Sequence, residues 1–147
     1  ISSGLVGSEM CIRDSLIPIF GWYLKKIGSI SIKRGQITKD NLGFYDEISS
    51  VVKSSNRPLI IFPQGTRVLP NERPPFKKGV SRIYEKLKIA CQPVAINSGY
   101  VWPKSGRKIS NKTITISIMK RINNNLDKEI FLRTLEDKIY SELNLMN

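Results

Sequence analysis

Pro58 and Pro63 bracket a run of four apolar residues, Leu59-Ile60-Ile61-Phe62. So short a run, closed at both ends by residues that interrupt helices and ladders, reads as a strand, and its lack of alternation predicts burial on both faces. Strands of that kind belong to sheets covered by helices, and the rest of the chain supplies both. A short helix is predicted from Pro18 to Lys26, followed by a strand over Ser29 to Lys33 with Ile30 and Ile32 on one face. Thr38 is a plausible N-cap for a helix to about Ser54, in which Leu42, Tyr45, Ile48 and Val52 fall at helical spacing. After a loop rich in proline and arginine come a helix over Val80 to Lys88 and a buried strand over Gln92 to Ile96. A loop to Lys108 then leads to a strand over Thr113 to Ile118, with Ile114, Ile116 and Ile118 predicted to face inward. Asp127 begins a last helix whose Phe131, Leu135, Ile139 and Leu143 recur every four residues as a core-facing stripe. The expected fold class is α/β, a mixed and mostly parallel sheet flanked by helices. Ligands of such sheets usually sit at the loops after the strands' carboxyl ends.

Composition narrows the chemistry. The 147 residues carry 24 lysines and arginines against 12 aspartates and glutamates, a net charge of +12, and no histidine. No Ser-His-Asp or Cys-His constellation, histidine metal site or imidazole proton shuttle can therefore form within this chain. The charge calls for an anionic partner: nucleic acid, an anionic membrane face or a phosphorylated substrate. Cys11 and Cys91 make no disulfide framework, so a reducing compartment is the default. The longest apolar stretch, Leu16 to Leu24, is interrupted by Pro18 and falls short of the roughly 20 residues that span a bilayer. No internal repeat or Gly/Ser linker divides the chain.

Residues 5–15, LVGSEMCIRDS, lack any periodicity, turn logic or capping pattern that leads into the helix expected from Pro18. They resemble, residue for residue, the in-frame translation of a transposon-end sequencing adapter. On that resemblance, residues 1–15 are expected to be a non-native segment and residues 16–147 a partial domain, incomplete at its amino terminus. The domain would keep only Cys91 and would carry 23 basic against 10 acidic residues, a net +13. The positive charge belongs to the domain itself.

Three loops at predicted strand ends share one chemical character: Lys33-Arg34, Gln64-Gly65-Thr66-Arg67, and Asn97-Ser98. Gly65 permits a tight turn or a close backbone approach, Thr66 adds a hydroxyl donor, and Arg67 can meet phosphate oxygens bidentately. Arg34 supplies a second clamp if its strand is adjacent. Each piece alone also reads as ordinary turn or strand-end chemistry; placed together after buried strands they look like a phosphate site. The set matches neither the Gly-x-x-x-x-Gly-Lys-Ser/Thr phosphate loop nor the Gly-x-Gly-x-x-Gly fingerprint.

Here the sequence resembles the 1-acylglycerol-3-phosphate acyltransferases, in their bacterial branch. IFPQGTR, residues 61–67, resembles the family's Phe-Pro-Glu-Gly-Thr-Arg block. GSISIKR (28–34) is similar to its Gly-x-x-x-x-Asp-Arg block, and QPVAINSG (92–99) to its fourth block around a Val-Pro-Val-Ala core. The flanks IPIFGWYLKKIG, LPNERPPFKKGV and YVWP agree as well, so the likeness covers nearly all of Leu16 to Leu145. The resemblance implies a glycerol-phosphate acyltransferase-like fold and transfer of a fatty acyl group from acyl-CoA or acyl carrier protein to lysophosphatidic acid, giving phosphatidic acid for phospholipid biosynthesis. It assigns Arg34, Gln64, Gly65, Thr66 and Arg67 to the acceptor's phosphate and glycerol, and Pro93 to shaping the acyl or catalytic side of the cleft. No metal or redox cofactor is implied. It also places the enzyme on the cytoplasmic face of the bacterial inner membrane.

Two departures stand out. Gln64 replaces the family's glutamate and Lys33 its usual aspartate, which makes the acceptor loops more positive; Gln64 still accepts a hydrogen bond but cannot be an anion. The family's His-x-x-x-x-Asp pair, in which histidine takes the acceptor hydroxyl's proton, has no counterpart in a chain without histidine. The resemblance puts that pair upstream of the IPIFGWY segment, beyond the adapter-like junction, so the fragment alone is expected to be inactive. The competing readings are a basic nucleic-acid-binding module and an anionic-membrane-binding module without catalysis. Against the former, aromatic residues such as Phe62 and Trp102 are not interleaved with the basic residues as stacking platforms would be, so no nucleic acid is expected as a partner.

Overall fold

A computed structural model of the chain describes residues 4–6, 22, 26, 41–55, 58–66, 68–103 and 106–146. It divides into two units, Ile1–Thr66 and Arg67–Asn147.

In the first unit, β1 (Gly4–Val6) pairs in parallel with β2 (Leu59–Ile61), Gly4 opposite Leu59 and Val6 opposite Ile61. β1 falls within residues 1–15, the segment expected to be non-native. Ladder pairing is a property of backbone N–H and C=O groups, so a Gly-Leu-Val tripeptide can pair whatever its origin. Between the strands runs α1 (Asn41–Ser55), close to the predicted helix. Ile48 and Ser49 are buried and Tyr45 and Val52 half-buried, as the spacing required. The Ser54 hydroxyl donates to the Val51 carbonyl at 3.2 Å, and Lys53 lies in the last turn, where a cation suits the helix dipole. Trp22 and Lys26 are helical, with the Lys26 ammonium 4.7 Å from the Trp22 ring centroid one turn away. The rest of the predicted first helix, the Ser29–Lys33 strand and Thr38 lie outside the described residues.

β2 corrects the expectation of a strand buried on both faces. Leu59 and Ile61 are half-buried, whereas Ile60 and, just beyond the strand, Phe62 are exposed. An uninterrupted apolar run shows that both faces tolerate burial. Coverage depends on what packs there, and the face carrying Ile60 is open.

The second unit is built on α2 (Gly79–Leu87), β3 (Val94–Ile96), a single 3-10 turn at Ser98–Tyr100, β4 (Ile116–Ile118) and α3 (Lys128–Leu145). α2 buries Val80, Ile83, Tyr84 and Leu87, one stripe at helical spacing. It stops at Lys88, whose left-handed backbone (φ 51) lets its N–H donate to the Tyr84 carbonyl at 3.0 Å. The Asp127 carboxylate caps α3 by accepting from the Glu129 N–H at 2.8 Å. Of the predicted α3 stripe, Phe131 and Leu135 are buried and Ile139 and Leu143 half-buried. α3 packs against α2 and β3. Where it meets α2, the Phe131 and Tyr84 rings stack with centroids 3.6 Å apart. The Tyr84 hydroxyl donates to the Asn123 carbonyl and accepts from the Leu126 N–H, fastening the lead-in to α3.

β3 and β4 are antiparallel, with Val94 opposite Ile118 and Ile96 opposite Ile116. The described strands thus form one parallel and one antiparallel pair, a mixed arrangement in which parallel pairing does not predominate. Cys91 bridges to Ile122 beyond the ladder, three residues back on one strand and four forward on the other, so β4 carries one extra residue there. Gln92 fills the irregularity: its amide donates to the Met119 carbonyl and its oxygen accepts from Arg121 Nε at 3.1 Å.

This pair overturns two expectations. Ala95 is 1% exposed, but Val94 and Ile96 on either side of it are open to solvent, so β3 is buried on one face only. Ile114, Ile116 and Ile118, predicted to face inward, are exposed, and Ser117 points toward α3, where its hydroxyl donates to Glu142 Oε1 at 2.7 Å. Period-two alternation separates two faces. It does not say which of them α3 will cover.

Candidate functional site

The loop after β2 is a tight turn. The Gly65 N–H donates to the Phe62 carbonyl at 3.2 Å, so Phe62 to Gly65 are positions i to i+3, with Pro63 at i+1. Lys88 and Asn111 are the only non-glycine residues with positive φ among those described, so Gln64 at i+2 is right-handed and the turn is of type I. Proline presets φ at i+1 for this turn, and Gly65 leaves it at φ 72, a conformation that L side chains resist. Pro-Gln-Gly is thus a local instruction for reversing the chain after a strand. The Gly65 N–H is spent within the turn. Thr66, whose side chain carries a hydroxyl donor, follows the turn and is exposed. Gln64 is half-buried. Arg67 and Arg34 lie outside the described residues.

Pro93 belongs to the second unit and is among its most deeply buried side chains. Having no N–H, it contributes only its carbonyl to the ladder, which accepts from the Met119 N–H at 3.1 Å. Its observed work is to set the path of the chain into β3.

The segment that continues from Arg67 shows what sequence reading missed. Tyr100 donates its hydroxyl to Asn71 Oδ1 at 2.8 Å, and Gly99 lies so close to Pro70 that a Cβ would meet Pro70 Cγ at 3.3 Å. Glu72 accepts from the Leu69 N–H at 2.9 Å, closing a short turn. From α3, Glu136 Oε2 accepts the Phe76 N–H at 2.8 Å, Tyr140 donates to the Pro74 carbonyl, and Asn144 Oδ1 accepts from Arg73 at 3.1 Å. The Phe76 and Tyr140 rings meet edge to face at 5.0 Å. The proline-rich stretch is therefore a strap pinned by one face of α3. A proline-rich sequence signals the need for outside partners, but contacts some 60 to 70 residues away leave no local pattern.

Cys91 has its thiol pushed up from the ordinary value by burial, which makes it a poor nucleophile and a poor base near neutral pH. Among the described residues no group of three or more histidine, cysteine, aspartate or glutamate side chains is gathered to hold a metal ion, and no helix is long and apolar enough to cross a membrane.

The chain is similar to known proteins in sequence and in fold. At the level of sequence, the chain is 30% identical over 100 residues to the 1-acyl-sn-glycerol-3-phosphate acyltransferase of Pseudomonas aeruginosa, covering 67% of this chain and 38% of that enzyme. It is 40% identical over 86 residues to the enzyme of that name in Helicobacter pylori (56% and 35%), and 30% identical over 130 residues to the one in Saccharomyces cerevisiae (84% and 42%). The chain thus spans well under half the length of these relatives. At the level of fold, it resembles the crystal structure of the 1-acyl-sn-glycerophosphate (LPA) acyltransferase PlsC from Thermotoga maritima, with a TM-score of 0.74 at 16% identity, over 99% of this chain and 57% of that one. The acyltransferase family model matches residues 10–97, a stretch holding Arg34, the Phe62–Gly65 turn with Thr66 and Arg67 behind it, and buried Pro93, and on that match the chain belongs to the acyltransferase family.

Proposed function

We propose that this chain carries the acceptor-binding part of an enzyme that acylates 1-acylglycerol-3-phosphate to phosphatidic acid. The observation that carries the reading is that the three curated relatives bear that activity in their names, while the family match spans the loops at issue. In the proposed reaction the acceptor's free hydroxyl attacks the carbonyl carbon of an acyl thioester, acyl-CoA or acyl carrier protein. The carbon–oxygen bond forms, the carbon–sulfur bond breaks, and the thiol leaves with the proton the hydroxyl gave up. Arg34 and Arg67 hold the phosphate, Thr66 donates to it or to the glycerol, Gln64 accepts a hydrogen bond, Gly65 lets the chain reverse, and Pro93 is assigned to shaping the acyl or catalytic side of the cleft. No metal or redox cofactor takes part in this scheme. The lipid substrate and the surplus of basic residues both suit the anionic cytoplasmic leaflet of a bacterial inner membrane.

Proton removal needs a base near neutral pKa, and this chain has no histidine to supply one. The half-buried Cys91 thiol is shifted the wrong way to replace it. The chain by itself is therefore proposed to hold the acceptor without transferring acyl groups. Calorimetric titration with a short-chain lysophosphatidate below its micelle threshold tests this. Loss of a bidentate charged contact in Arg67→Ala is worth about 2 kcal/mol, or roughly thirtyfold in affinity. Unchanged affinity in Arg67→Ala would remove the loop from the site, and acyl transfer by the unaided chain would overturn the account of the missing base.

A further inference from the structure

We infer that Tyr100 is a positioning residue for Arg67, acting through the turn that follows Arg67 in the chain. The loop after β3 contributed Asn97-Ser98 to the strand-end set with phosphate character, yet that loop is tied into the fold. Asn97 is buried; its Oδ1 accepts the Thr115 N–H at 2.7 Å, and its carbonyl accepts the Tyr100 N–H at 3.1 Å. The Ser98 carbonyl accepts from the Val101 and Trp102 N–H groups at 3.1 and 2.8 Å. Held in this way, the loop presents Tyr100, whose hydroxyl donates to Asn71 Oδ1 at 2.8 Å, with the Pro70 carbonyl at 3.3 Å as a second acceptor. Gly99 lies against the same Pro70, so close that a Cβ would meet Pro70 Cγ at 3.3 Å.

Pro70 and Asn71 are the central residues of a turn that Leu69 and Glu72 close twice. The Glu72 N–H donates to the Leu69 carbonyl and the Leu69 N–H donates to Glu72 Oε2, each at 2.9 Å. The same turn is held from α3, because Arg73 Nη1 donates to the Pro70 carbonyl while its Nη2 donates to Asn144 Oδ1 at 3.1 Å. Arg67 stands two residues before Leu69, and two residues of chain reach at most about 7 Å. A fixed Leu69 therefore confines where the Arg67 side chain can start. A released turn would let the guanidinium sample many more positions, and ordering it would weaken ligand binding. The Tyr100 hydroxyl has a single proton and donates it to Asn71, which leaves Tyr100 no donor for a phosphate. Its contribution to binding is then to hold the turn, and Arg67 makes the contact.

This role deepens the proposed acceptor site and rests on Arg67 holding the phosphate there. Calorimetric titration of the full chain with a short-chain lysophosphatidate below its micelle threshold tests both, using Tyr100→Phe, Arg67→Ala and the two combined. A neutral hydrogen bond shifts an equilibrium by roughly fivefold, so Tyr100→Phe should bind about three- to fivefold more weakly than the parent. In the Arg67→Ala background the same substitution should change nothing, because the group it positions is gone. A merely structural role would weaken binding in both backgrounds. Asn71→Ala, at an exposed position, should match Tyr100→Phe and add nothing to it. Circular dichroism checks the folding of each variant, and Asn71→Ala with its own Arg67→Ala combination decides the matter if Tyr100→Phe does not fold. Parent-like binding by Tyr100→Phe, with affinity lost in Arg67→Ala, overturns the positioning role and leaves the acceptor site standing. Equal losses with and without Arg67 also overturn it, by making Tyr100 a direct ligand or a general support of the fold. Full affinity in Arg67→Ala removes the acceptor site, and the positioning role with it.

Discussion

Removing the Glu136 carboxylate should loosen the strap that follows the candidate loop. Glu136 Oε2 accepts the Phe76 N–H at 2.8 Å in a partly buried setting, while the Phe76 side chain is buried against the Tyr140 ring. Hydrogen bonds to charged acceptors contribute about 1.5–3 kcal/mol, and Glu136→Ala would also leave the amide without its partner. A loss of about 2 kcal/mol corresponds to roughly thirtyfold faster opening at that site. Glu136→Gln keeps an acceptor of nearly the same shape and should lose only about half of that, since a neutral bond is worth about 1 kcal/mol. Native-state hydrogen exchange followed by NMR reads the effect amide by amide. The Phe76 amide should accelerate about thirtyfold in Glu136→Ala and a few-fold in Glu136→Gln, while Ile83 and Leu87 in α2 change little. Two results would refute the reasoning. Unchanged Phe76 exchange means the carboxylate does not hold the strap, and equal acceleration throughout α2 means Glu136 supports the whole unit rather than a local tether.

At Gly65, alanine must adopt φ 72, which disfavours L residues by about 1–2 kcal/mol. Gly65→Ala should therefore lower stability to urea by about 1 kcal/mol, with Gly65→Asn milder; equal stability of all three proteins would mean the turn is not held as described. For Cys91, burial raises the thiol pKa in the folded state, so the protonated form is favoured. The associated stability is complete below the ordinary thiol range and declines as pH rises through the raised value. Accordingly, iodoacetamide at mildly alkaline pH should modify Cys91 more slowly in the folded chain than in urea, and equal rates would contradict the assigned cause.

Much of the fold was legible because it is local. Pro58 and Pro63 closed a strand, Gly65 permitted the tight turn that follows, Asp127 began a helix, and the four-residue recurrence from Phe131 chose its buried side. Gln64, Gly65 and Thr66 lie in and just after that turn, while Arg67 lies outside the described residues, so the loop's phosphate chemistry stays a proposal. The strap was not legible. Its partners Tyr100, Glu136, Tyr140 and Asn144 come from elements far along the chain, and each is unremarkable where it stands in sequence. Pro93 is buried at the start of β3, and its depth was not legible either, because burial depends on what packs against the strand.

The isoleucine row of β4 marks the boundary between the two kinds of information. From sequence alone came the order and type of the described elements from the Asn41–Ser55 helix onward, the positive charge, the absence of imidazole and the resemblance to the acyltransferases, all of which follow from residue identity and short-range periodicity. Alternation of isoleucine with threonine and serine likewise established that β4 has two unlike faces. Only the tertiary structure decided that α3 covers the serine face, through Glu142 and the packing of α3 on β3, and leaves the isoleucines open. The physical reason is that periodicity is written along one segment, whereas burial is a relation between two.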